Sequence, residues 1–385
     1  MRYGKGRNVK YCVRCLQPDT RPNSVFTEEG VCPVCSYHEQ ASQIDWQERY
    51  EILTDLVQKL KRQPGQYFDC IIGVSGGKDS TRQALWVRDK LGLKPLLVSL
   101  SHPPQQVSQL GVDNLSNLIE LGFDVLFSAP APDTWRKLMR ECFFRFSNWA
   151  RSSELALFTS VPQVAIRYQI PTIFWGENPA LQVGDLRTMG RNGYDGNNLR
   201  YSNTLSSGHA WMLEAGFTPQ ELIPYTYPSV EEFDTAGIQI IYLGWFLGDW
   251  SLLRNAAYAC STGLGIRPEA PRDQGDLYGI SNLDEDWHNM NQMIKYYKFG
   301  FGKVTEYVNE ELRAGTLSRE RAIELVKRFD GKCHDRYVAS FCDFIDISVD
   351  QFWDHVLRSV NRTLFDVAAD GCIRPKFDVG KGLCS

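Results

Sequence analysis

An α/β fold built on a parallel sheet, with a small cysteine-held module before it and a helical region after it, is what this 385-residue sequence predicts. Three observations lead there. Short apolar runs alternate with stretches of helical periodicity, two Cys-x-x-Cys pairs precede them, and beyond Asp249 the pattern turns mainly helical.

The sheet rests on five runs, at 68–74, 95–100, 124–128, 172–175 and 238–243, each apolar and strand-length. Helical patterns lie between them at 80–91, 110–121, 135–149 and 155–168. Such alternation favours parallel strands covered on both faces. Upstream, 44–62 places Trp46, Tyr50, Leu53, Val57 and Leu60 three and four residues apart, an amphipathic helix stopping near Pro64 and Gly65. Downstream, 319–328 is the clearest helix, with Ser318 in position to cap it. Residues 181–208 are polar and rich in Gly and Asn, a loop long enough to be functional or disordered. The expected organisation is a cysteine module over 1–43, a connecting helix over 44–66, an α/β domain over 67–260 and a mainly helical region over 261–385.

Composition narrows the function classes. Apolar residues make up 43% and charged residues 23%, as in ordinary globular chains. The net charge of −4 supplies no general attraction to nucleic acid. No run reaches the roughly 18 apolar residues that span a bilayer, and the basic stretch 1–10 lacks the apolar segment of a secretory signal. Four of the 11 cysteines fall in the two pairs and the rest are scattered, which favours a metal site and reduced thiols, hence the cytoplasm.

Cys12 and Cys15 are separated from Cys32 and Cys35 by 16 residues. Four thiolates at this spacing close a tetrahedron around Zn²⁺ with no open position, so the site is expected to be structural. Two disulfides are the alternative, and His38 is a conceivable substitute ligand.

Ser75-Gly76-Gly77-Lys78-Asp79-Ser80 follows the first strand and opens a helix. Glycines admit a phosphate close to the backbone, free N–H groups at the helix start point toward it, and Ser75, Ser80 and Lys78 add donors and charge. Asp79 suits such a loop if it holds Mg²⁺ or orients its neighbours. The Walker spacing is absent. The hexapeptide resembles the phosphate loop of the ATP pyrophosphatase superfamily, whose adenine-nucleotide alpha-hydrolase-like fold this resemblance implies. It also implies that Ser75, Gly76, Gly77, Lys78, Asp79 and Ser80 hold ATP, with Lys78 and Asp79 catalytic. By the rule for open parallel sheets the nucleotide lies across the carboxyl ends of the strands, which makes Ser99 and Gly176 further candidates. Glu177 and Asn178 end another strand on the same rim, as ligands for Mg²⁺ or a substrate hydroxyl, or simply as a strand-ending turn.

The order of cysteine pairs, helix and phosphate loop, with YCVRCLQPDTRP, GVCPVC, GVSGGKDS, WGENP, IKYYKFGFGK and RAGTLSRERAIELVKRFDG, resembles the N-acetyl sugar amidotransferase family of lipopolysaccharide and O-antigen synthesis. The C-terminal block is the most family-specific of these. Residues 181–235 and 350–385 carry no secure match. The resemblance implies a nucleotide-sugar substrate, UDP-linked, whose acetamido group becomes an acetamidino group at the cost of ATP, with ammonia from a separate glutaminase subunit. No described setting such as Gly-x-Cys-x-Gly surrounds Cys70, Cys142, Cys260, Cys333, Cys342, Cys372 or Cys384, and His334 beside Cys333 is no partner by adjacency alone. Lys298 and Lys303, in a basic aromatic stretch, are candidate phosphate clamps or the solvated end of a helix; Arg267 and Arg272 are weaker candidates. Two rival readings stay open: a tRNA-thiolation enzyme of the same superfamily, and a non-catalytic zinc-module protein.

Overall fold

The computed structural model describes residues 9–60, 66–179, 192–202, 204–268 and 275–383. Five strands, β1 (Cys70–Gly73), β2 (Pro95–Leu100), β3 (Val125–Ser128), β4 (Thr172–Trp175) and β5 (Gln239–Tyr242), form one parallel sheet in the order β3-β2-β1-β4-β5. The chain winds outward in one direction from β1 and in the other from β4, so a topological switch falls between these two neighbours. All five runs expected from the sequence are strands; those at 95–100 and 172–175 keep their bounds and the other three are trimmed at their ends. Asp69, for example, leaves the first strand because its carboxylate accepts the Lys94 N–H at 2.6 Å.

Alternation across the pleat sorts the core into two layers. Ile72, Leu97, Phe174 and Ile241 face one side, where helix α2 (Trp46–Leu60) lays Leu53 and Val57 and helix α3 (Lys78–Leu91) lays Ala84, Leu85 and Val87. Ile71, Val98, Ile173 and Ile240 face the other side, against Val161, Val164 and Ala165. A short α1 (Pro33–Ala41) precedes these, and α4 (Gln109–Glu120), α5 (Pro132–Phe146) and α6 (Ala150–Tyr168) join the strands. The expected 135–149 helix starts earlier because Pro132 suits a first turn, and it ends where Ser147 turns left-handed. Helix α6 takes in five residues more than expected at its start, where Ala150, Ser152 and Ser153 pack inward although serine's propensity is weak.

The C-terminal region adds, after α7 (Ala210–Glu214), α8 (Val230–Ala236) and α9 (Leu252–Cys260), the helices α10 (His288–Phe299), α11 (Lys303–Ala314), α12 (Arg319–Phe329), α13 (Asp335–Phe344) and α14 (Val349–Ser359). It closes on a small antiparallel pair, β6 (Phe365–Val367) and β7 (Ile373–Pro375), which the helical pattern did not announce. One aromatic core runs across the expected boundary at 260/261. Trp149 meets Trp287 edge-on at 6.3 Å, and Phe143 stacks on Phe352 at 5.1 Å. Each fully buried aromatic of this kind contributes roughly 2 kcal/mol or more, so the helical region is welded to the sheet. Ser318 caps α12 as the sequence suggests, accepting the Arg321 N–H.

Candidate functional site

The loop from Ser75 to Ser80 occupies the carboxyl end of β1, beside the switch. Gly76 has φ +73°, and a Cβ there would come within 3.2 Å of Asn114, Leu115 and the Gly111 carbonyl. Only glycine fits this turn comfortably. Gly77 stands at the N-cap of α3 and no side chain caps that helix, so its first N–H groups are left for a ligand. The Ser80 hydroxyl braces the loop through the Gly77 carbonyl at 3.2 Å. Lys78 is almost fully buried, its Nζ 2.8 Å from Asp79 Oδ2. Asp79 in turn accepts Asn255 Nδ2 at 2.6 Å, and Asn255 accepts Arg82 at 2.6 Å. The acidic residue of the loop therefore orients its neighbours through α9.

Two cavities open from this point. One, of about 470 Å³, is lined by the loop, Gln83, Gly176, Glu177, Ser281, Lys303, Glu306, Glu310 and Arg313. The other, of about 560 Å³, is lined by Leu100, His102, Glu154, Leu199, Thr204, Glu285, His288, Lys295 and Phe301 among others. Arg21, Leu157, Glu177, Asn282 and Asp284 line both and form the wall between them. The first cavity lies where the switch-point rule places a nucleotide. The second adjoins it.

Electrostatics at the wall are unusual. Burial, with Asp79's charge added, pushes the Glu177 carboxyl up to about 7. Burial, opposed by His102 and assisted by Asp284, takes Glu285 to about 7 as well. For His102 burial works against the charged form, yet the hydrogen bond to Asp284 at 3.2 Å and the charges of Asp284 and Glu285 raise its pKa overall. Burial and the charges of Lys303 and Lys295 hold His288 at about 3, so it is neutral. The wall thus gathers carboxyls and an imidazole able to trade protons near neutrality.

The helical region supplies about a third of each lining, and its FGFGK and RFDG motifs explain how. Asp330 accepts the Gly302 N–H at 2.8 Å, the Val304 N–H at 3.1 Å and the Thr305 hydroxyl at 2.6 Å. It caps α11 and aims Lys303, Glu306 and Glu310 at the first cavity. A Cβ on Gly302 would lie 2.6 Å from that carboxylate. Arg267 is no phosphate ligand. It is buried and grips Asn282 and Glu285 through their carbonyls and Asp286 through its carboxylate, which fixes the 282–286 segment of the wall.

The four cysteine thiols lie within 4.8 Å of one another, all buried. Backbone N–H groups of Arg14, Gln17 and Cys32 point at Cys12 or Cys15 sulfurs at 3.3–3.4 Å, as suits thiolates bound to a metal. Four sulfurs without an open position fit Zn²⁺ and a structural role. His38 stands outside the group.

Of the residues singled out in the sequence, Ser75, Gly77, Lys78, Asp79, Ser80, Gly176, Glu177 and Lys303 line the first cavity. Gly76 shapes the turn from behind. Ser99 is fully buried and outside the lining; Leu100 and His102, just beyond it, reach the second cavity. Asn178 is also fully buried, its amide directed to the Gly244 carbonyl at 3.4 Å. Lys298 donates to the Phe146 carbonyl at 2.9 Å and belongs to neither lining. Arg272, Cys384 and 181–191 lie outside the described residues. Burial raises the Cys142 and Cys333 thiols to about 12 and Cys342 to about 11, and His334 serves as the N-cap of α13. No glutaminase nucleophile emerges from these. Lys295, which opens the basic aromatic stretch 295–303 noted in the sequence, lines the second cavity. Sequence reasoning passed over Arg21, His102, Asp284, Glu285 and His288; the run Asp284-Glu285-Asp286-Trp287-His288, dense in ionisable groups, was the available signal.

Fold and site together define a phosphate-loop α/β protein whose cleft is divided into two chambers by a wall shared with a helical C-terminal domain. Residues 278–374 match the family model described as LPS biosynthesis protein WbpG-like, C-terminal domain. That segment contains the block from Ile294 to Gly331, the most family-specific of the motifs on which the sequence resemblance rested. Among solved structures the chain is similar to an NMN synthetase from Francisella tularensis, at 18% identity and a TM-score of 0.27, over 35% of this chain and 56% of that one. No curated protein matches the sequence. Among the described residues no helix is long and apolar enough to cross a membrane.

Proposed function

We propose that this protein is an ATP-dependent amidotransferase of surface-glycan synthesis, converting the acetamido group of a nucleotide sugar to an acetamidino group. The observation that carries the proposal is the divided cleft: a phosphate loop in one chamber, a second chamber beside it, and a common wall of ionisable groups. The match of the C-terminal domain to a lipopolysaccharide-synthesis family supports a glycan precursor as the second ligand, and it weighs against the tRNA-thiolation reading.

An amide oxygen is a poor leaving group. In the proposed reaction it attacks the α-phosphorus of ATP and pyrophosphate departs, leaving an O-adenylated imidate. Ammonia adds to the imidate carbon, AMP leaves with the former amide oxygen, and the amidine remains. The balance is amide, ATP and ammonia to amidine, AMP and pyrophosphate. The loop N–H groups and Lys78 hold the phosphates as charge moves onto the leaving oxygen. Lys78 must first exchange Asp79 for phosphate. Asp79 and Glu177, which line the first chamber, would hold a Mg²⁺ that neutralises phosphate charge. Glu177, facing both chambers and titrating near neutrality, takes the proton that the attacking ammonia sheds. The second chamber holds the sugar, with carboxyls for its hydroxyls. Ammonia comes from a separate glutaminase: burial makes Cys70, Cys142, Cys333 and Cys342 poor nucleophiles, and the exposed Cys260 and Cys372 line neither chamber.

Mass spectrometry of UDP-N-acetyl sugars incubated with protein, ATP, Mg²⁺ and ammonium tests this directly. The expected product has one acetamide oxygen replaced by NH, with AMP as the nucleotide product. Release of ADP instead, or silence across a broad sugar panel, would refute it.

A further inference from the structure

An arginine that closely follows the first cysteine pair reaches the wall. Cys12 N–H donates to the Gln17 carbonyl at 2.9 Å, and Gln17 N–H points at Cys15 Sγ at 3.4 Å, so the first cysteine turn fixes Gln17. Gln17 is buried, and its Oε1 accepts Arg21 Nη1 at 3.0 Å. Thr20 is anchored to the Phe299 carbonyl at 2.5 Å. The Arg21 side chain, 14% exposed, then passes over the Phe301 ring at 5.4 Å and lines both chambers.

There it joins an unbalanced cluster. The Glu306 carboxylate is shared by Lys295 at 2.7 Å, Lys303 at 3.5 Å and Arg21 at 3.7 Å. Lys295 faces the second chamber, Lys303 the first, and Arg21 both. Three cations converge on this one half-buried carboxylate, so around it positive groups outnumber the negative one, in surroundings where charges are weakly screened. Of the neighbouring acids, Glu310 is turned to the Leu252 N–H at 2.6 Å and Asp284 is engaged by His102. A guanidinium at 3.7 Å from its carboxylate, outside ideal contact, keeps donors for another oxyanion.

We propose that Arg21, Lys295 and Lys303 form an anion site for a phosphoryl group at the junction of the two chambers, and that the metal-bound cysteine module holds Arg21 in it. It rests on the proposed function only in that both ligands of that reaction carry phosphate. The occupant is a phosphate of ATP or the diphosphate of the nucleotide sugar; the chemistry recognised is the same.

Calorimetric titration of the full-length, zinc-loaded protein with inorganic pyrophosphate and, separately, with UDP tests the site. Losing one charge-assisted contact predicts that Arg21→Ala weakens binding by about ten- to a hundredfold, that Arg21→Lys recovers part of it, and that Arg14→Ala, on the exposed side of the same module, changes nothing. Loss confined to pyrophosphate assigns the site to ATP; loss confined to UDP assigns it to the sugar donor. Lys303→Ala provides a second decision if circular dichroism shows Arg21→Ala misfolded. Stripping the metal should reproduce the Arg21→Ala loss, with little further effect in that variant. Unchanged affinity for both probes in Arg21→Ala and Lys303→Ala, or no binding of either by the wild type, overturns the site. Metal removal without any loss overturns the positioning role. A wild type that binds pyrophosphate through Arg21 yet forms no amidine sinks the proposed reaction and leaves the anion site standing.

Discussion

Replacing Asp330 by alanine probes the joint on which the first chamber hangs. The carboxylate is 7% exposed and satisfies two backbone N–H groups and a hydroxyl at the start of α11. Loss of an N-cap alone costs about 1 kcal/mol. Here the donors left behind are buried, and each unsatisfied group adds about 1–3 kcal/mol, so Asp330→Ala should cost roughly 3–5 kcal/mol. That is a large part of the 5–15 kcal/mol typical of a folded domain. Asp330→Asn keeps one acceptor but turns an amide toward donors, and should fall between alanine and wild type. Ser318→Ala removes the solvent-side cap of α12 and should cost about 1 kcal/mol. Urea unfolding followed by tryptophan fluorescence measures all three. If Asp330→Ala destabilises no more than Ser318→Ala, the carboxylate is not the joint described, and the account of the FGFGK and RFDG motifs fails.

Lys78→Ala should abolish pyrophosphate release while leaving the circular dichroism spectrum intact; normal turnover would remove this lysine from the chemistry. Gly76→Ala forces a side chain into a left-handed turn and against Asn114 and Leu115, and should weaken ATP binding measurably by fluorescence or calorimetry. Elemental analysis should find about one zinc per chain, released with loss of thermal stability when Cys15 becomes serine; full stability without metal would contradict this. Glu285, at about 7 when folded against an ordinary carboxyl near 4.5, binds its proton more tightly in the native state, so its contribution is present below about pH 4.5 and is lost as pH rises through 7. Glu285→Gln should therefore flatten the decline in stability between pH 5 and 8 by about 2–3 kcal/mol, and an unchanged slope in urea titrations would exclude that role.

Much of the sheet was legible because each strand is short, buried and locally apolar; Pro95–Leu100 and Thr172–Trp175 appear with the boundaries expected. The loop from Ser75 to Ser80 was legible for a different reason: a left-handed turn at a helix start requires a particular backbone shape, and glycines write that shape into adjacent positions. The wall was not. His102 meets Asp284 across 182 positions, and Arg21 reaches Glu306 from a module whose local signal is its cysteines. Contacts of this kind depend on how α10 and α11 dock, which no periodicity encodes. Lys298 and Lys303 show the limit well. They lie five residues apart in one basic stretch, yet the turn at Gly300–Gly302 sends one to a carbonyl of α5 and the other into the chamber. The small β6–β7 pair escaped because three-residue strands carry no detectable alternation.

A wall with two faces constrains how such a protein can diversify. Any replacement at Glu177, Asp284 or Arg21 is felt on both sides, so selectivity for one ligand cannot be retuned there without disturbing the handling of the other. Positions such as Leu199, Ser202 and Thr204 touch the larger chamber alone. They are the ones free to drift when the same chemistry is turned to a different substrate.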